Sequence, residues 1–301
     1  MDSECSLIVT LPSFSNIRKI SQMFRDPRVS GARLNTGAFN PHSAMETVST
    51  LKELAEGCGK KLWIDLKCRQ LRVTRWAAPE YQCIEVNHSF TVELPATLCL
   101  RGEKPLDIVE VSGNRITVDP LPLHAVGAGQ SVNVLGQGLR IDGYLTENDE
   151  KYLEACAACG VNGVMISFAQ GPEDVAAVRS YLPNAEAVCK IESLRGVEAA
   201  SSLAAMGCTL MAARDDLYIE NGRSPSTLGI VRRLAEIDPG AICASRIFSS
   251  LEKQDSAELR DYSDLHLMYS YGYRRFMLSD GISINCFDKA CRAWDAFTDT
   301  L

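Results

Sequence analysis

Three residues carry the chemistry most plainly. Lys190 and Glu192 are two positions apart in an apolar run, and Asp216 stands just past the next one. In an extended segment, residues two apart face the same side, so Lys190 and Glu192 act together. Glu192 and Asp216 are hard oxygen donors of the kind magnesium or manganese takes one or two at a time, leaving the other positions to water and substrate oxygens. An ammonium beside such a metal can stabilise charge on a transferring phosphoryl group or on an enolate. Arg33 and Arg72 add forked donors suited to phosphate or carboxylate. Asn35, Asp65, Lys67, Ser167-Phe168, Asp215 and Ser245-Arg246 stand at the same kind of boundary, where a short apolar run gives way to a loop. The set suggests a small anionic, oxygen-rich substrate held between a metal and several cations. The structural alternative is a rim of mutually paired ions, including an Arg33–Asp65 pair.

The elements that position these residues read as alternating strands and helices. Strands are expected at 6–10, 31–35, 62–66, 163–167, 187–191, 209–213, 241–245 and 275–279. Helices are expected at 16–24, 44–57, 147–159, 172–181, 197–206, 226–236, 256–272 and 284–297. Thr146 or Asn148 would cap the helix at 147. From Val73 to Ile141 no helical pattern appears. Short β-rich pieces at 82–86, 90–94, 97–100, 108–111, 116–118 and 131–135 are punctuated by Pro, Gly and Asn. Eight βα units imply an α/β fold, a TIM (β/α)8 barrel over 1–72 and 142–301, with a small β domain at 73–141 inserted after strand 3. In such barrels the chemistry lies at the C-terminal ends of the strands, where the charged boundaries fall.

Several segments, in order, resemble pyruvate kinase: LIVTLPSFS, ARLNTGAFNPHSAMETVSTLKEL, WIDLKCRQLR, LTENDEKYL, VMISFAQGPEDVAAVRSYL, CKIESLRGVEAA, LMAARDDLYIE, AICASRIFSSL and FMLSDGIS. The resemblance implies a phosphoenolpyruvate/pyruvate-binding barrel, magnesium, and ADP or ATP under the inserted domain as a lid. It puts Glu192 and Asp216 on the metal ligands, Lys190 on the lysine that stabilises phosphoryl transfer, and Arg33 on the phosphate-contacting arginine. Ser245 replaces a threonine near the enolate carbon and could relay a proton. Ser167 and Phe168 match a pair beside the phosphate, and Arg72 an arginine near the transferring phosphates.

The departures from the family are specific. Asn35 and Asp65 remain from the potassium ligands, but the serine is Gly37 and the threonine Leu66, and Gln70 stands for a glutamate. These changes argue against potassium dependence. Ala38 replaces a histidine near the nucleotide, and Cys68 a glycine at the mouth of the site. The family's ARGDLG is here Ala213-Arg214-Asp215-Asp216-Leu217-Tyr218, which brings an acidic side chain at Asp215 towards the pyruvate position. The inserted domain is shorter than the family's, and the regulatory domain beyond the eighth unit is expected to be absent. Together these suggest a specialised substrate. Two other readings are a metal-dependent oxo-acid lyase or aldolase that needs the enolate but no nucleotide, and a non-catalytic binding protein with 73–141 as a partner-binding appendage.

Composition sets the outer bounds. The 301 residues are 46% hydrophobic and 23% charged, as in ordinary globular proteins. With 38 acidic and 31 basic residues the net charge is −7, which speaks against a general nucleic-acid binder but not against a local cationic pocket. No apolar run is long enough to span a membrane. The start, MDSECSLIVT, does not look like a signal peptide, so a cytoplasmic location is expected, and a homo-oligomer stays open. Twelve cysteines are scattered among apolar runs without a scaffold pattern, and Cys156 and Cys159 form a CxxC with no second one. They are expected to be reduced, mostly buried thiols. His42, His88, His124 and His266 have no metal-binding spacing.

Overall fold

The structure is a computed structural model, described over residues 5–38, 40–75, 83–100 and 102–301. The first residue of the piece expected at 82–86 lies outside the described residues. Eight parallel strands close into a barrel: β1 Ser6–Thr10, β2 Val29–Asn35, β3 Lys61–Leu66, β4 Gly163–Ile166, β5 Glu186–Ile191, β6 Thr209–Ala213, β7 Ile242–Ala244 and β8 Arg275–Met277. Each strand pairs with its neighbours in sequence order, and β8 returns to β1. The strands are nearly all buried, as expected where helices cover one face and the barrel core the other.

Among the described residues ten helices connect and flank the strands: α1 Ile17–Arg25, α2 Ala44–Gly57, α3 Glu147–Cys159, α4 Pro172–Tyr181, α5 Leu194–Ala205, α6 Arg214–Glu220, α7 Thr227–Ile237, α8 Leu259–Ser270, α9 Asp280–Asn285 and α10 Phe287–Thr298. The caps explain several boundaries. Asn16 caps α1 through the Lys19 N–H, and Ser43 caps α2 through the Glu46 N–H. At α3 the choice falls on Thr146. Its hydroxyl accepts from the Asp149 N–H at 3.1 Å, and the Asp149 carboxylate accepts from the Thr146 N–H at 3.0 Å, a reciprocal capping box.

Three local expectations are corrected. The helix expected at 256–272 is shorter, 259–270, and a 3-10 turn at Ser249–Glu252 precedes it. The closing helix expected at 284–297 is two helices, broken at Cys286 between α9 and α10. The seven-residue helix α6 was not expected; it opens at Arg214 directly from the end of β6. Short helices of one or two turns give too little periodicity to stand out in a sequence.

Inside the barrel an apolar layer is formed by Ile8, Trp63, Met165, Val188, Met211, Ile242, Ala244 and Met277. Trp63 fits because its neighbours are small. A Cβ on Gly31 would lie 2.5 Å from the Trp63 ring, and one on Gly163 would lie 2.3 Å from the Leu62 carbonyl oxygen. Two residues further along β1, β2, β3 and β5 come Thr10, Arg33, Asp65 and Lys190, so the strand period of two converts an apolar layer into a polar one.

The chain divides into two compact units, one of residues 1–36, 40–66 and 150–301, the other of 37–39 and 67–149. The second contains a five-stranded antiparallel sheet, ordered 83–85, 115–119, 106–112, 96–100 and 132–135, and a two-stranded ladder of 90–91 with 140–141. It has its own core, in which Ile84, Phe90, Leu98, Ile108, Ile116 and Val134 are among the buried members. Buried Asp149 fastens its base, accepting the Lys67 N–H at 2.7 Å and the Cys68 N–H at 2.9 Å besides its contacts with Thr146. Among the described residues no helix is long and apolar enough to cross a membrane.

Candidate active site

A chain of ions crosses the barrel at the C-terminal ends of β1 to β5. Arg33 Nε donates to Asp65 Oδ2 at 2.7 Å, and its Nη1 to Thr10 Oγ1 at 3.0 Å and to Asp280 Oδ1 at 2.7 Å. Asp280 Oδ2 accepts from Asn35 Nδ2 at 2.9 Å. On the other side Asp65 Oδ1 lies 3.1 Å from Lys190 Nζ, which is 3.5 Å from Glu192 Oε1. The remaining carboxylate oxygen, Glu192 Oε2, accepts the Phe168 N–H at 2.7 Å. Asp65, Lys190 and Glu192 are buried, as is Arg33. Such charges are stable away from water only when paired and hydrogen-bonded, and here each has a partner of opposite sign.

The electrostatics follow from this arrangement. Burial alone would favour the neutral form of Lys190, but Asp65 and Glu192 outweigh both burial and the repulsion of Arg33, so its pKa lies above the ordinary lysine value. Burial likewise works against the charge on Arg33, and Asp65 and Asp280 more than compensate. Both are firmly cationic. Against them stand three carboxylates in contact, Asp65, Glu192 and Asp280, so the cluster has a formal excess of one negative charge.

Local backbone features aim the rim. Ser193 caps α5 immediately after Glu192, its hydroxyl accepting the Gly196 N–H at 3.2 Å, which fixes the end of β5. Phe168 and Ser245, just beyond β4 and β7, have left-handed backbones with φ of 48° and 68°. Left-handed non-glycine residues carry strain and gather at functional positions. The Ser167 hydroxyl donates to the Leu66 carbonyl at 2.7 Å, tying β4 to β3. Ser245 is held through its carbonyl, which accepts Arg214 Nη2 at 2.6 Å, while Arg214 grips Asp264 with two bonds of 2.7 and 2.8 Å.

Two carboxylates could hold a metal. Among the described residues Glu192 Oε1 faces Lys190 alone, at 3.5 Å, longer than a normal charge-assisted bond, so it retains acceptor capacity. Asp216 is half-buried in the first turn of α6, which follows β6, the neighbour of β5. Among the described residues no group of three or more His, Cys, Asp or Glu is placed to enclose a metal. That donor set fits a magnesium-like ion, which takes few protein carboxylates, better than a metal that needs a full protein cage. Potassium fits poorly. Leu66 offers no side-chain oxygen, and Lys190 already supplies a cation to Asp65.

The remaining sequence candidates are distributed as follows. Asp215 does not stand as a bare negative charge, because Arg246 Nε bonds its carboxylate at 2.6 Å, and both side chains are about half exposed. Lys67 and Arg72 belong to the second unit. There Arg72 donates to Gln70 Oε1 at 2.7 and 2.9 Å and to the Gly129 carbonyl at 2.5 Å. A Cβ on Gly37 would meet Arg72 Nη1 at 2.9 Å and Lys67 Cε at 3.0 Å, so the glycine admits two cationic side chains. Sequence reasoning missed Thr10 and the role of Asp280. Each ends or follows a strand on the same edge as the other candidates, and that position was the available signal.

Comparison with known proteins bears on the same barrel. The family described as "Pyruvate kinase, barrel domain" matches residues 98–281. Pyruvate kinase of Thermoplasma acidophilum is 22% identical over 285 residues, 86% of this chain and 51% of that protein. Pyruvate kinase of Encephalitozoon cuniculi is 25% identical, covering 92% of this chain and 70% of that protein. Pyruvate kinase II of Salmonella typhimurium is 26% identical over 50% of this chain and 33% of its own length. The chain thus spans about half or less of the Thermoplasma and Salmonella relatives. With more than half of its residues matched by the family and eight strands closed in barrel order around a paired ionic rim, the chain belongs to the pyruvate kinase family through its barrel domain.

Proposed function

We propose that the protein is a magnesium-dependent phosphotransferase of the pyruvate-kinase type. It would move a phosphoryl group between a nucleotide, ADP or ATP, and phosphoenolpyruvate, pyruvate or a related small hydroxy or oxo acid. The observation that carries this reading is the buried Asp65–Lys190–Glu192 chain, which keeps an ammonium charged and fixed at the barrel mouth. Phosphoryl transfer asks little covalent chemistry of a protein and depends on positioning and charge stabilisation.

In this reading Lys190 stabilises the transferring phosphoryl oxygens, and Arg33, held on Asp65 through Nε and Nη2, adds positive charge beside it. Asp65 positions both cations. Glu192 and Asp216 hold the metal, which supplies positive charge for phosphoryl and enolate oxygens. The Phe168 N–H orients Glu192, leaving Oε1 for that role. Ser245, held by Arg214, presents its hydroxyl for proton transfer. The negative excess of the cluster means that an anionic substrate binds well only together with a cation.

The test is a phosphotransfer assay with phosphoenolpyruvate, ADP and magnesium, run also in reverse with ATP and a panel of small hydroxy and oxo acids. Turnover by the wild type that falls at least about a hundredfold in Lys190→Met and in Glu192→Gln is expected. No turnover in either direction refutes the proposal. Phosphoenolpyruvate turnover at ordinary glycolytic rates refutes only the specialised substrate. One observation favours a lyase as the second reading. All three Arg33 nitrogens are engaged, Nε and Nη2 by Asp65 and Nη1 by Thr10 and Asp280, which leaves little of the fork for a phosphate. An enolate mechanism needs Lys190, Glu192 and Asp216 but no nucleotide. Calorimetry with magnesium and ADP separates the two, since a lyase binds no nucleotide.

A further inference from the structure

A cavity of about 570 Å³ is lined by residues of α1 and of the corner where α9 meets α10. Its volume is within the range of sites for small metabolites. None of the residues of the ion chain lines it. Arg18, Lys19, Lys289 and Arg292 do, against one acid, Asp288. In a chain with a net charge of −7, four cations around one cavity are a marked local reversal.

The four are not equivalent. Lys19 Nζ donates to the Ile284 carbonyl, and Lys289 Nζ pairs with Asp255 at 2.7 Å. Arg18 and Arg292 are exposed and make no hydrogen bond or ion pair with another described residue. Two uncommitted guanidinium forks lining one cavity suit phosphate, which each can bind through two parallel bonds. The N-terminus of α10 opens on the same space, and no side chain caps it. Its free N–H groups and the helix dipole add to the attraction for an anion.

We propose that this cavity binds a small phosphorylated metabolite at a site separate from the barrel mouth. The site is placed to be felt there. Helix α9 begins at Asp280, which holds Arg33, and ends at Asn285 in the cavity wall, about 9 Å of helix in all. Lys19 fastens the far end of the same helix through Ile284.

The experiment is calorimetry with inorganic pyrophosphate in magnesium-free buffer, so that binding through a metal at the barrel mouth does not contribute. The wild type is expected to bind one equivalent, and Arg18→Gln/Arg292→Gln to bind at least tenfold more weakly. Lys190→Met should bind as the wild type does. Both arginines are exposed, so their replacement is compatible with folding, which the melting curve checks. Hydrogen exchange on the wild type provides a second measurement, with pyrophosphate expected to slow exchange in 16–22 and 285–292. No binding, undiminished binding by the double variant, loss of binding only in Lys190→Met, or protection confined to other segments would each overturn the proposal. None of these outcomes depends on which reaction the barrel performs.

Discussion

Lys190 shows how a buried charge is kept usable. Burial favours the neutral amine, and Asp65 and Glu192 reverse that preference, so the pKa sits above the ordinary value of about 10.4. A lysine raised in this way contributes stability in full below the unfolded-state pKa, and loses it as pH climbs through the folded-state value. The stability gap between wild type and Lys190→Met, read from urea unfolding, should therefore hold steady from pH 7 to 9. It should begin to narrow only above about pH 10.4. A gap already closed by pH 9 would mean that burial wins over the two carboxylates. Asp280 offers the complementary test. Its side chain is 47% exposed, so its ion pair with Arg33 contributes little to stability. Removing it releases one of the two bonds of Arg33 Nη1, the one to Thr10 remaining, and takes one negative charge from the mouth. Asp280→Ala should bind phosphoenolpyruvate with magnesium about tenfold more tightly than the wild type, the effect of one screened charge at close range. Weaker binding would show instead that Asp280 is needed to aim Arg33.

At the scale of elements, the strands were legible because they are mostly buried runs of three to seven residues with charged ends, and the barrel order follows from their regular alternation with helices. The positions of Lys190, Glu192, Arg33 and Asp65 at strand ends could be anticipated for the same reason. What stayed hidden was contact between distant segments. Nothing in the spacing of Arg33 and Asp280 announces that they touch, and the short helix that carries Asp280 merges in sequence with the one after it. Nor does sequence distinguish a glycine that a neighbour requires from one that is merely tolerated. Gly163 of β4 and Gly229 of α7 separate these cases. A Cβ at Gly163 would press into backbone, the Leu62 carbonyl at 2.3 Å, whereas at Gly229 it would meet nothing within 4 Å. Gly163→Ala should cost about 3 kcal/mol or prevent folding, because backbone on an adjacent strand cannot yield. Gly229→Ala should gain about 0.5–1 kcal/mol from helix propensity. Chemical denaturation of the two variants checks both signs, and equal effects would contradict the packing around Trp63.

For the whole molecule, the twelve cysteines test whether the cores are filled as described. All twelve are free thiols in the structure; seven are buried, four half-buried, and Cys83 alone is exposed. They behave as small apolar side chains between strands and helices, and burial raises the thiols of Cys156 and Cys291 to about 12 and that of Cys243 to about 11. A thiol needs both access and its thiolate form to react, and these have neither near neutral pH. With a disulfide reagent at pH 8, the native protein should therefore give one fast equivalent, from Cys83. A slow phase from Cys5, Cys58, Cys159 and Cys286 should follow, and the seven buried thiols should remain silent until the chain unfolds. The full twelve should appear in guanidinium without reductant, and the melting temperature should be the same with and without dithiothreitol. Fewer than twelve in guanidinium would reveal a disulfide. A fast native phase larger than one would mean that the barrel and the inserted sheet open more readily than their closed cores allow.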